Sequence, residues 1–239
     1  ARQCDADVVQ FQIKAVNDRS NSSCLNAKER RNSYLLELVT EEDHKHFLLD
    51  KKRAFIGNCT RKFYRTSLVH EHQIHFAEQL IFEEPVFTVP VILCEKRHAF
   101  LDEELYFYYK SPHSTMRSDW TGRKMDFLKV WITLVNDLEN RKLMHKYYAE
   151  ISYLFFHEGY VGTIHMLAVK GYPLSVKELK VMKNVLLQLF PDIPENPYLL
   201  KEADPLRAFF RDILPVEITE EKVMAINEIL TNYVNRTLK

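Results

Sequence analysis

The 239 residues suffice for one large domain, or a domain with a sizeable extension, and can bury a substantial core. Lysine plus arginine equals aspartate plus glutamate, 33 against 33, which excludes a dedicated nucleic-acid binder with a basic face. Five glycines without a G-x-G-x-x-G or Walker stretch exclude a glycine-rich phosphate cradle, and 12% aromatic content excludes a disordered chain.

In chain order, "ADVVQFQIKAV" (6–16) is β-branched and aromatic and predicts a strand. The polar "NDRSNSSCLNAKERRNS" that follows reads as a loop, and "EEDHKHFLLDKKR" (41–53) as a short helix. "CTRKFYRTSLV" (59–69) reads as a strand passing into a helix. Glu83 and Glu84 then stand side by side, bracketed by Phe82, Val86 and Phe87, at the mouth of the apolar "PVFTVPVILCEKR" (85–97). "HAFLDEELYFYYKS" (98–111) holds a second strand around Tyr106–Tyr109, and "SPHSTMRSDWTG" is turn-rich. From about residue 121 the hydrophobic period becomes helical: Phe127, Trp131, Leu134 and Leu138 fall on one face. Residues 145–170 predict a long apolar helix or a kinked pair, stopped by Gly171 and Pro173. Ser175 and Glu178 form a capping box before Leu179, Met182, Leu186 and Leu189. Asp204-Pro205 opens another helix, and Thr219 the last, with Val223, Ile226, Leu230 and Tyr233 as its stripe. The reading is a mixed α/β domain over 1–120 and a helical domain over 121–239, helix-rich overall.

Cys4, Cys24, Cys59 and Cys94 form no C-x-x-C pair and read as reduced, mostly buried thiols. The N-x-S/T matches at Asn21, Asn58 and Asn235 follow no signal peptide, and no apolar run approaches the ~20 residues of a membrane span. The cytoplasm is the expected location.

The order of several short motifs is more specific than any one of them. Asp5-Ala6-Asp7 leads into a strand; Lys62-Phe63-Tyr64-Arg65, Phe76-Ala77-Glu78 and Glu83-Glu84 follow; Tyr106–Tyr109 then runs towards Ser114 and Thr115. Over residues ~5–118 this succession resembles the second half of family 2 glycosyltransferases. The resemblance implies a partial GT-A-like mixed sheet with flanking helices, followed by a helical C-terminal region. It implies an inverting transfer of sugar from a nucleotide-sugar to a carbohydrate or lipid-linked acceptor, in bacterial polysaccharide or glycoconjugate synthesis. In that family the second acidic residue of the pair is usually an aspartate that deprotonates the acceptor hydroxyl; Glu84 stands there, and Glu83 is the other candidate base. Both also suit a plain electrostatic role, since acidic residues at a helix start are favoured by ~0.3–1 kcal/mol each. Lys62, Tyr64 and Arg65 are candidate contacts to donor phosphates or acceptor, or else a solvated strand end. His113, Ser114 and Arg117 form a polar turn of the kind that gathers binding residues.

Two motifs mislead. Asp5-Ala6-Asp7 spells the metal-chelating D-x-D of glycosyltransferases, but it enters a strand, so no metal is expected on this chain. His70, His72 and His75 lack the i, i+4 spacing of a helical zinc site, which leaves a metal-dependent hydrolase without its ligands. By the resemblance, Mg²⁺ or Mn²⁺ and the nucleotide-binding half belong to a longer protein, and this chain by itself is expected to be silent. The rival reading is a non-catalytic α-rich interaction module. Tyr147, Tyr148, Tyr153, Phe155, Phe156 and Tyr160 crowd fourteen residues, which predicts that some rings face a partner or a second copy of the chain.

Overall fold

A computed structural model describes residues 5–16, 33–109, 111 and 118–237 of the chain. These fall into two compact units, Ala1–Arg123 and Lys124–Lys239.

The first unit is built on four strands: β1 (Val8–Val16), β2 (Tyr34–Glu37), β3 (Lys62–Tyr64) and β4 (Arg97–Tyr109). They form one mixed sheet in the order β2-β4-β1-β3. β1 and β4 are parallel, Val8 opposite His98, and their register slips on both sides of Gln12. A parallel pair needs a long crossover, and the helices α1 (Glu41–Leu49), α2 (Thr66–Glu71) and α3 (Glu84–Cys94) lie within it. β2 and β3 close the edges antiparallel, Leu35 opposite Ala99 and Val9 opposite Phe63.

α3 is buried all round from Pro85 to Leu93, as expected of a helix without a polar face. Phe87 and Val91 pack with Val8, Leu68 and Ile74, and the Phe87 ring lies between Phe76 (stacked, 4.3 Å) and Tyr64 (edge-on, 4.9 Å). α1 is tied to the far end of α3 by His44, whose ring nitrogens reach Thr40 O and Glu95 O at 2.8 Å each. The strand reading changes at two points. β2 occupies Tyr34–Glu37, a stretch to which the sequence assigns no element, and β4 begins at Arg97, well before Tyr106, giving a strand of 13 residues.

The second unit contains α4 (Asp126–Asn140), α5 (Met144–Leu154), α6 (Val161–Val169), α7 (Val176–Leu189), α8 (Pro205–Asp212) and α9 (Glu220–Thr237). A π-helical turn, Phe155–Tyr160, joins α5 to α6. α4 buries Trp131, Leu134 and Leu138, and Trp131 lies directly over Gly159 of that turn. The capping box at Ser175 and Glu178 is formed in both directions, and the Asp204 carboxylate accepts from Arg207 N–H to start α8.

The crowded aromatics do not form an outward surface. Tyr147, Phe155, Phe156 and Tyr160 are buried. Tyr153 donates its hydroxyl to Glu202 at 2.8 Å, and Tyr148 lies edge-on to Phe190. The expectation of a partner surface assumed one buried helix face. The segment is instead enclosed on several sides, and the π turn redirects its side chains.

Among the described residues no helix is long and apolar enough to cross a membrane.

Candidate active site

The acidic pair closes a strained loop and opens α3. Gln79 and Phe82 hold φ of 61° and 65°, a left-handed conformation that costs non-glycine residues about 1–3 kcal/mol and persists only where surroundings enforce it. The Phe82 ring is seated edge-on against Trp120 at 5.0 Å. The bend brings Glu83 to the N-cap position and Glu84 to the first helical residue, with Pro85 in the first turn, where no N–H is needed. Glu83 makes no side-chain capping hydrogen bond. The Glu84 carboxyl is raised above its ordinary value, first by burial and further by the charge of Glu83. A helix start alone would hold a carboxyl down, so desolvation outweighs the dipole here. A half-buried carboxylate with raised affinity for a proton suits a general base.

The loop from Ala54 to Arg61 is tied to the start of α3. Thr88 donates its hydroxyl to Ile56 O and also lies 2.9 Å from Glu84 O, so the loop is anchored to the first turn of α3. Cys59, on this loop, feels the charge of both carboxylates: its thiol is pushed up by burial, then by Glu84 and Glu83. No sequence signal marks Cys59, which is distant from the pair along the chain.

The K-x-Y-R segment holds this loop in place. Lys62, on β3, is buried, and its ammonium donates to Ala54 O at 2.7 Å and Phe55 O at 3.0 Å. Burial depresses it to about 8. Tyr64 donates its hydroxyl to Cys59 O at 3.1 Å, and burial pushes its pKa well above the ordinary phenol value. Both side chains act on the backbone that carries Cys59, and the Lys62 ammonium points inward. Arg65 turns the other way: Nη2 reaches Asp5 Oδ1 at 2.5 Å and Nε pairs with Asp7 Oδ1 at 2.9 Å.

That arrangement bears on the Mg²⁺ or Mn²⁺ implied by the resemblance. Asp5 and Asp7 make the only D-x-D of the chain. The second oxygen of Asp7 accepts from Lys96 N–H and Arg97 N–H at 2.8 and 3.1 Å. A guanidinium already stands between the two carboxylates where a cation would go, and the backbone takes the remaining oxygen of Asp7. These residues do not fit a metal site; they latch the entry of β1 to β3 and β4. His70, His72 and His75 are exposed, and among the described residues no group of three metal-ligating side chains gathers. His113, Ser114 and Arg117 lie outside the described residues, as do Cys4 and Cys24.

No protein-family model matches the chain, and no curated protein matches it. Among solved structures the chain is similar to Staphylococcus aureus TarS, residues 1–349, in complex with UDP-GlcNAc. The TM-score is 0.58 at 17% identity, over 99% of this chain and 60% of that one. A second structure of TarS 1–349 gives a TM-score of 0.52 at 18% identity, over 99% of this chain and 59% of that one. The chain therefore spans about 60% of the length of the solved structures it matches. TarS has a GT-A-like glycosyltransferase fold, and at these identities the likeness is one of fold: this chain carries part of a glycosyltransferase fold.

Proposed function

We propose that the chain carries the acceptor side and the base of an inverting, family 2 type glycosyltransferase. Glu84 takes the proton of an acceptor hydroxyl. The freed oxygen pair attacks the anomeric carbon of a nucleotide-sugar, and the bond to the diphosphate breaks with its electrons leaving on the nucleoside diphosphate. Inversion follows because attack and departure occur on opposite faces of the ring. One observation carries this reading above the others: Glu84 opens a helix buried from Pro85 to Leu93, with its carboxyl raised by burial, within a fold shared with a protein solved in complex with UDP-GlcNAc. Glu83 raises Glu84 further, and Lys62 and Tyr64 position the loop tied to α3. Phe82 and Trp120 fix the backbone, so that the base meets its proton at the ~2.6–3.2 Å such transfer needs.

In the protein that carries this chain, Glu84→Gln is expected to lower turnover by about 10²–10⁴-fold, since it keeps shape but removes the basic oxygen. UDP release from UDP-GlcNAc in the presence of acceptor measures this. Unchanged turnover in Glu84→Gln, with loss in Glu83→Gln, would move the base to Glu83. Unchanged turnover in both would discard the mechanism.

A further inference from the structure

A cleft of about 360 Å³ opens where β1, β2 and β4 run side by side, and neither member of the acidic pair lines it. Gln10, in the middle of β1, lines this cleft and is only 5% exposed, yet its side-chain oxygen has no hydrogen-bond partner among the described residues. Buried polar atoms are almost always partnered, and an exception calls for a ligand or another specific reason. An amide oxygen there awaits a donor.

The cleft also has an uneven charge. Lys52, Arg53 and Arg61 line it against one carboxylate, Asp102. Arg53 is paired with Asp50 at 2.6 Å. Arg61 is held in place by its own bonds, Nε to Phe11 O at 3.2 Å and Nη2 to Gln12 Oε1 at 2.8 Å, with its Cζ 4.0 Å from the centre of the Phe55 ring. Its Nη1 and the ammonium of Lys52 make no bond among the described residues. A preorganised guanidinium edge beside a free ammonium suits a phosphate. Tyr34 stacks on Phe100 at 4.6 Å, and with Phe55 it supplies flat apolar surface for the C–H face of a ring.

We infer that this cleft binds a phosphorylated sugar, its phosphate on Arg61 and Lys52 and one hydroxyl donating to Gln10. Inorganic phosphate answers the cations but brings neither a sugar hydroxyl for Gln10 nor a ring face for Tyr34 and Phe55, and a neutral sugar leaves the cations unanswered. The inference does not rest on the transfer reading of Glu84.

Calorimetry on the 239-residue chain with glucose 6-phosphate, glucose and inorganic phosphate tests it. Glucose 6-phosphate is expected to bind saturably, about tenfold or more tighter than either fragment, the gain of one added hydrogen bond or ion contact. Gln10→Leu, which removes the amide oxygen, should weaken glucose 6-phosphate by about tenfold, leave inorganic phosphate unchanged and not lower the melting temperature, because the lost oxygen had no partner. Lys52→Gln should weaken both phosphate ligands alike, and Glu84→Gln neither. The inference is overturned by an absence of saturable binding, by glucose 6-phosphate binding no tighter than phosphate, or by an indifferent Gln10→Leu. Should Gln10→Leu not fold, amide shifts at Gln10 and Gln12 during titration of the unmodified chain decide, and their absence overturns it equally.

Discussion

At Glu84 two electrostatic effects oppose each other, and their balance is measurable without any substrate. Its folded value lies above the ordinary 4.5, so its contribution to stability is fully present below 4.5 and is lost as pH rises through the folded value. Glu84→Gln mimics the protonated form. It should therefore melt higher than the parent at neutral pH, and the difference should vanish as pH falls below about 4.5. Were the pair only an electrostatic cap, the same change would cost about 0.3–1 kcal/mol at neutral pH instead. Lys62 shows the opposite linkage. Depressed from 10.5 to about 8, it leaves the unfolded chain binding more protons across that window, so stability rises with pH through it. Urea unfolding between pH 7 and 10 should show this rise in the parent and a flatter profile in Lys62→Met. The variant loses two carbonyl partners as well, but that offset moves the curve without changing its slope.

Among the elements, the π turn between α5 and α6 depends on close approach. A Cβ on Gly159 would lie 3.0 Å from both Cβ and Cγ of Trp131, which is 1% exposed. Those atoms sit beside the α4 backbone and cannot swing aside. Overpacking costs ~1–3 kcal/mol and the helical gain of alanine over glycine returns ~1, so Gly159→Ala should destabilise by roughly 1 kcal/mol. Gly122, with nothing within 4 Å of its would-be Cβ, is the control: Gly122→Ala should leave the denaturation midpoint in place. Equal midpoints for the two variants would show that α4 can yield.

For the molecule as a whole, the two units are built by different rules. The first pairs strands from remote segments and carries both the acidic pair and the cleft. The second has a core of its own, with Phe155 against Phe190 at 5.3 Å and Tyr160 against Phe210 at 5.9 Å. Residues 124–239 made alone should unfold cooperatively, with the helical circular dichroism of the same region in the whole chain. A broad, non-cooperative melt would mean that this core needs the first unit.

Local patterns alone determined the helix starts and the buried stripes. Ser175 with Glu178, Asp204 with Pro205, and Trp131, Leu134 and Leu138 on one face are patterns completed within a turn or two, and such chemistry is written in neighbouring residues. The order of the acidic pair and the K-x-Y-R segment was equally legible. What those residues touch was not. β2 is a short, half-exposed strand that exists through its pairing with β4, and no periodicity marks it. Arg65 meets Asp5 across 60 residues, Lys62 turns inward to two carbonyls, and Cys59 comes under the field of Glu84. The rings of residues 147–160 are enclosed because helices distant in sequence cover them. Burial, ion pairing and desolvation depend on which surfaces meet, and that is decided by the packing of remote segments, which no local period encodes.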